Sequence, residues 1–365
     1  MTRPEEALGH ANAGTVALAD RPALAPTSNE PKARRRVVVT GGAGFVGSSV
    51  VEAFVEAGDE VSVIDDLSSG SRAHLAALLA SQRITLHVLS VTDTALSDVI
   101  AAEHPDVICH LAARASVPES ILDPVTDAQV NLCGTIAVLE AARTAKVGRV
   151  LYAASGGSLY GERADPADEG APRRPSSPYG LSKAAALDYL ALYRSLHGLP
   201  YCALALANVY GPRQAGAGAQ GEGAVVATFL GQALAKQPAT IDGDGRQTRD
   251  FVFVDDVASA FVAAATCGEE GLYNISSGVA TTIIELHRLV GSLTGTAIPP
   301  RHGPERNGDL RHSRLDPSRA WHDLGWRART PLDAGLRRML EAARRAEQRA
   351  AEGLGDDPLP PVVRG

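Results

Sequence analysis

Aromatic side chains are scarce: two tryptophans, six phenylalanines and eight tyrosines make up 4% of the chain. Any core must therefore rest on Ala, Val, Leu and Ile, as in α/β proteins. No run of about 20 apolar residues occurs, which excludes a membrane-spanning helix. Basic residues are outnumbered, 35 against 42 acidic, for a net charge of −7. A mildly acidic chain is a poor electrostatic partner for nucleic acid. Cysteine is limited to Cys109, Cys133, Cys202 and Cys267, with no CxxC pair. That argues against a disulfide framework and against a metal site, and for buried reduced thiols. The opening Met1-Thr-Arg-Pro-Glu-Glu6 carries acids and no long apolar stretch, so no secretory signal is expected. Together these absences point to a reducing, cytoplasmic setting.

What the chain does have is glycine, 36 of 365 residues, and short apolar runs alternating with helical patterns. Val37-Val-Val-Thr40 stops at glycine, and Val50, Val51, Phe54 and Val55 then repeat at helical spacing before Gly58. Strands are expected at Val61–Ile64, around Val88, and at 107–111, 150–153 and 202–206, with helices at about 127–145 and 179–197. This alternation predicts a Rossmann-type doubly wound parallel sheet covered on both faces. Residues 1–34 read as a disordered tail, 35–207 as the nucleotide-binding domain and 208–340 as a smaller domain with some segments rejoining the first. Residues 341–365 read as a second tail, charged and then Pro-rich. The stretch 214–223 is of low complexity.

Two motifs carry chemistry. Thr40-Gly-Gly-Ala-Gly-Phe-Val-Gly47 joins the first strand to the first helix. Gly41 suits the tight turn, Gly44 the approach of backbone to a pyrophosphate, and Gly47 close packing of helix on strand. The helix N-terminus offers N–H groups and partial positive charge to phosphate. Asp65 ends the second strand, where a carboxylate accepts from an adenosine ribose and repels a 2′-phosphate, favouring NAD over NADP. Tyr179 and Lys183 stand four residues apart at the start of a helix, on one face. A neighbouring ammonium favours the phenolate, making Tyr179 a candidate acid/base for a sugar hydroxyl.

These motifs occur in a telling order with His110-Leu-Ala-Ala113, Asn131-Leu-Cys-Gly-Thr135, Tyr160-Gly161, Ser177-Pro-Tyr-Gly-Leu-Ser-Lys183, Asn208-Val-Tyr-Gly-Pro212, the 243–250 segment and Asn307-Gly-Asp309. From about Arg36 to Leu340 the chain resembles the extended short-chain dehydrogenase/reductases, and within them the UDP-glucose 4-epimerase group. The resemblance implies an NAD-dependent 4-epimerase of a nucleotide sugar, a UDP-hexose above all. It also implies a homodimer built from helices near 128–145 and 179–197, with Leu187, Leu190, Leu192 and Leu196 as apolar residues beyond one face's needs.

By position, the resemblance implies that Gly41, Gly44, Phe45, Val46 and Gly47 hold the pyrophosphate, and Asp65 and Asp66 the adenosine end. Leu111, Ala112 and Ala113 would line the cofactor channel, with Asn131 near the nicotinamide. Tyr179 and Lys183 would be the catalytic pair. Asn208 and Arg249 would contact the diphosphate, with Arg306 and Asp309 at the phosphates and uridine ribose. Three departures stand out. The usual Ser or Thr four residues before Tyr160 is Gly156, so Ser155, then Ser158, is the expected partner of the sugar hydroxyl. Ser90-Val91 replaces an Asp-aliphatic pair at the adenine. Ser313 stands where some members carry a bulky aromatic against the sugar. Relatives that dehydrate or decarboxylate place an acid just before the Tyr-Gly motif. This chain has Ser and Gly there, which favours epimerase; a 4,6-dehydratase or reductase is the alternative within enzymes, and the presence of both Tyr179 and Lys183 argues against a non-catalytic NAD-binding protein.

Overall fold

The parallel sheet expected from the alternating runs is present in the computed structural model, which describes residues 34–214, 224–266, 270–305 and 309–352. The expected tail up to residue 33, most of the low-complexity stretch, Cys267, Arg306 and the Pro-rich end lie outside the described residues. The sheet uses β1 (Arg36–Thr40), β2 (Glu60–Asp65), β3 (Ile84–Val88), β4 (Val107–His110), β5 (Arg149–Ser155), β6 (Tyr201–Leu206) and a seventh strand, Gly271–Ile275. Across the sheet the order is Gly271–Ile275, β6, β5, β4, β1, β2, β3, every pair parallel.

Because successive side chains on a strand face opposite ways, β1 feeds two cores. Val37 and Val39 join Phe54, Cys109 and Leu204 with Val257 and Phe261. Val38 joins Ile108, Tyr152, Leu139 and Leu190 on the other face. Helices Phe45–Glu56 and Val254–Thr266 pack together over the first face. Beyond Asn208 the short strands Asn208–Tyr210, Thr248–Phe253 and Ala280–Thr282 form a separate three-stranded sheet. Its core holds Tyr210, Phe251, Phe253, Leu286, Leu336 and Leu340. The described residues from Arg34 on form one compact unit.

Three local features differ from expectation. The expected helix from Asp127 is helical along its length but in three pieces: Pro124–Ala128, a π turn Gln129–Cys133, and Gly134–Thr144. The charged stretch past 341 is helix as far as Ala351, continuing a helix that starts at Leu332 and is anchored before that point by buried Leu336, Met339 and Leu340. Cys109 and Cys202 are buried free thiols, but Cys133 is exposed. No described helix is long and apolar enough to cross a membrane.

Candidate active site

In this strand order the chain reverses direction across the sheet between β1 and β4. Open α/β sheets bind ligands at that switch point, beyond the carboxyl ends of the strands. A cleft of about 900 Å³ opens there, at the upper end of the usual range for small-molecule sites.

Glycine shapes its floor. Gly41 has φ +71°, and a Cβ there would lie 2.5 Å from the Ala112 nitrogen. A Cβ on Gly47 would lie 2.0 Å from the Gly41 carbonyl oxygen. The loop therefore sits directly against the segment leaving β4, and the helix directly against the loop. Helix Phe45–Glu56 begins at Gly44 with no side-chain cap and no acidic residue in its first turn. Gly41, Gly44, Phe45, Val46 and Gly47 all line the cleft. An uncapped helix start facing a cleft suits a diphosphate, whose oxygens accept from its N–H groups.

Asp65 and Asp66 line the same end of the cleft, with Ser90 and Val91. Asp65 Oδ2 accepts from Ala43 N at 2.9 Å and Oδ1 from Leu67 N at 2.9 Å. Burial pushes its pKa up, against these two hydrogen bonds. Asp65 thus fixes the loop as well as facing the cleft.

Leu111, Ala112 and Ala113 form the wall after β4. Behind them runs a chain of buried hydrogen bonds whose direction can be read. Ala112 N donates to Thr40 Oγ1 at 3.3 Å, and Thr135 Oγ1 donates to the Asn131 carbonyl at 2.6 Å. His110 bridges the two hydroxyls, with Nδ1 2.7 Å from Thr40 Oγ1 and Nε2 3.0 Å from Thr135 Oγ1. Thr135 has given its hydrogen to Asn131, so it accepts from Nε2–H, and Nδ1 accepts from Thr40. This needs a neutral imidazole, and burial, aided by Lys183, pulls the His110 pKa down to about 3. Asn131 does not reach the cleft. Its amide clasps the Arg114 backbone instead, accepting from N–H at 2.8 Å and donating to the carbonyl at 3.0 Å.

The helix Pro178–His197 is well defined at both ends. Ser177 caps it by accepting from Gly180 N at 3.1 Å, Pro178 opens its first turn, and Gly198 closes it at φ +69°. Tyr179 and Lys183 project from its first turns into the cleft wall, 9% and 3% exposed. Lys183 Nζ donates to the Ala153 carbonyl at 2.9 Å and lies 4.7 Å from the Tyr152 ring centre. Burial pulls its pKa down to about 8, opposed by Asp127. Ser155 and Ser158 line the cleft at the end of β5. A Cβ on Gly156 would lie 2.3 Å from Leu315 Cδ1, so Leu315 fills the space a larger residue would need.

The expected substrate residues divide. Asn208 lines the cleft. Arg249 does not. Its buried guanidinium donates to the carbonyls of Thr248 and Leu310 and pairs with Asp309. The strand starting at Thr248 runs beside 311–313, so those acceptors are its nearest partners. Ser313 lies off the main cleft, in a recess of about 10 Å³ shared with Gly156, Tyr160 and Leu315. Sequence reasoning missed Asp127 and Ser182, which hydrogen-bond at 2.8 Å behind the pair. The clue was available: Asp127 precedes Asn131 by four residues, and Ser182 adjoins Lys183.

A glycine-floored cleft at the switch point, with a tyrosine–lysine helix on its wall, defines a dinucleotide-dependent enzyme of the Rossmann class. Residues 37–276 match the NAD dependent epimerase/dehydratase family, and the chain belongs to it. The cofactor is accordingly NAD. A UDP-glucose 4-epimerase of Mycolicibacterium smegmatis is 42% identical over 315 residues, covering 86% of this chain and all of that protein. A UDP-glucose 4-epimerase of Thermotoga maritima, solved with UDP-glucose, superposes with TM-score 0.81 at 37% identity, covering 85% of this chain and 99% of that one. A UDP-N-acetylglucosamine 4-epimerase of Methanobrevibacter ruminantium, solved with UDP-N-acetylmuramic acid, gives TM-score 0.81 at 30% identity, over 86% of this chain and 99% of that one.

Replacing Gly41 by alanine strains a left-handed backbone and drives a Cβ into Ala112. The expected outcome is folded protein that has lost its NAD, read as cofactor released on denaturation. Wild-type cofactor content in Gly41→Ala would show that the loop does not need this contact.

Proposed function

We propose that the protein is an NAD-dependent nucleotide-sugar 4-epimerase acting on a UDP-hexose. The observation that carries this is the placement of Tyr179, Lys183, Ser155 and Ser158 on the wall of one cleft with the glycine loop. In this reading Tyr179, as phenolate, takes the proton of the sugar 4-hydroxyl and later returns it. Lys183 favours the phenolate by its charge. Ser155, with Ser158 second, hydrogen-bonds the same hydroxyl. When bound, NAD supplies reversible hydride acceptance at C4, the redox chemistry belonging to the cofactor. The protein's share is to position the sugar and let its 4-keto form turn over within the site. The turn from Ser155 to Leu159 carries no acid, as suits a reaction in which one tyrosine serves both proton transfers.

The remaining assignments follow the same reading. Gly41, Gly44, Phe45, Val46 and Gly47 hold the pyrophosphate of NAD, and Asp65 and Asp66 its adenosine end. Asn131 serves the nicotinamide side indirectly, through the Arg114 backbone. Asn208, on the cleft wall, serves the nucleotide diphosphate, with Arg306 at the phosphates, while Arg249 and Asp309 hold each other beside the cleft. The three free thiols among the described residues suit a reducing, cytoplasmic setting.

For assembly we propose a homodimer. Ile121, Leu122 and Val125 are exposed beside Leu181, Leu192 and Leu196, on helices that pack together. Leu187 and Leu190, expected on this face, are buried in the protein's own core. The face is built from 117–125 and the tyrosine–lysine helix, whereas helix Gly134–Thr144 exposes no large apolar residue. Exposed large apolar residues gathered on packed helices suit an interaction surface.

Tyr179→Phe keeps the ring and removes the ionisable oxygen. Turnover of UDP-glucose should fall at least about a hundredfold, the lower range for general acid–base catalysis, with NAD still bound; near-wild-type turnover would refute the assignment. Light scattering at micromolar concentration should give the mass of two chains, and Leu122→Asp with Leu196→Asp that of one. A monomeric wild type would contradict the dimer. Ser313 lies off the main cleft in a recess of about 10 Å³ that Leu315 shares, too small for an N-acetyl group. Ser313→Tyr should therefore leave the kcat/KM ratio of N-acetylated to plain sugar unchanged; a selective loss of the larger sugar would place Ser313 on the sugar wall after all.

A further inference from the structure

Behind the tyrosine–lysine pair lies a buried carboxylate that the reaction as described does not use. Asp127, in the short helix Pro124–Ala128, is 1% exposed and does not line the cleft. Its Oδ1 accepts from Asn131 Nδ2 at 2.7 Å and its Oδ2 from Ser182 Oγ at 2.8 Å. Asn131 donates to Oδ1, and the single Ser182 hydroxyl hydrogen is shared between Oδ2 and the Tyr179 carbonyl at 3.0 Å. Burial pushes its pKa up, against those hydrogen bonds and the charges of Lys183 and Arg114.

Asp127 therefore ties three parts of the site together. Ser182 adjoins Lys183 on the helix. Asn131 carries the Arg114 backbone at the cleft wall. The third tie is electrostatic and reaches Lys183 itself. An ammonium has three N–H donors, and the Ala153 carbonyl takes one. The groups facing Lys183 are Tyr152 on β5, His110 on β4 and Asp127, with Tyr179 one turn earlier on its own helix. Arg114, in the loop after β4, faces Asp127. The imidazole is neutral and the phenols are neutral until Tyr179 ionises, so Asp127 is the one carboxylate among these groups. A buried ammonium without such a charge sheds its proton.

We propose that Asp127 is a positioning residue that keeps Lys183 protonated, and so keeps Tyr179 ready to ionise, from behind the cleft wall. This rests on the reading of Tyr179 and Lys183 as the proton-handling pair. The sign of the effect is fixed. Lys183 supports the phenolate only while charged, so activity falls as pH rises through the lysine's pKa. Removing the Asp127 charge moves that fall to lower pH.

The chain has only four lysines, Lys32, Lys146, Lys183 and Lys236. With 13C-labelled lysine in the purified full chain, the Cε resonance of Lys183 can be followed against pH, assigned by its absence in Lys183→Arg. Asp127→Asn is the variant to use, because an asparagine meets both hydrogen bonds. Its oxygen accepts from Asn131, and its amide donates to Ser182, whose hydroxyl also lies 3.0 Å from the Tyr179 carbonyl. Wild type should titrate near about 8, and Asp127→Asn about one pH unit lower. The alkaline limb of kcat/KM should move with it, and Asp127→Glu should restore both. Should Asp127→Asn not fold, Asp127→Ser removes the charge and makes the same test. A Lys183 midpoint in the charge-removed variant equal to wild type overturns the proposal. A midpoint that moves while the rate profile stays fixed overturns the link to Tyr179 on which it rests.

Discussion

One hydrogen bond holds the site in register: the Lys183 ammonium donating to the carbonyl of Ala153. It fastens a surface helix to the interior of the sheet, two residues before β5 ends at Ser155. A buried ammonium left without such an acceptor is costly, so helix and strand hold this one relation. Tyr179 sits one turn before Lys183 on the same face, so its place follows. Ser155 follows from β5 itself. The two groups proposed to meet the sugar hydroxyl are thus positioned by the same bond.

Across the cleft the constraint is close approach of backbone. Gly41 and Gly47 let loop, helix and the post-β4 segment touch where any side chain would intervene. The Thr40–His110–Thr135 chain then locks β1 and β4 to the helix that follows the π turn. A π turn in mid-helix is a common mark of a functional site. Here it lies where Asn131 reaches back to both Arg114 and Asp127. The cofactor half and the proton-handling half of the cleft are therefore joined through buried polar contacts that are satisfied at each link, the arrangement in which such networks rigidify a structure.

Much of this was written locally in the sequence. Buried parallel strands show as short apolar runs, and the glycine triplet and the tyrosine–lysine spacing each lie within eight residues. What was not legible depends on partners far along the chain. Arg249 carries the residue type suited to a phosphate, but Asp309 and the Leu310 carbonyl, sixty residues on, engage it. Nothing near Ser313 tells that it lies beside Gly156, because Leu315 sets that register. The helix Leu332–Ala351 is rich in arginine beyond Leu340, so charge density masked its continuation past 341. Asp127 escaped notice because a single acid in a helix reads as solvated surface, and only the fold shows it buried.

The account turns on one claim: hydride leaves C4 of a nucleotide sugar and returns to the same carbon within one site. The most direct test supplies UDP-glucose deuterated at C4, without added NAD, and follows the products by NMR. The account predicts UDP-galactose that retains its deuterium at C4 and an equilibrium reached from either sugar. Loss of deuterium to solvent, a product that stops at the keto or dehydrated stage, or a need for stoichiometric external NAD would contradict it.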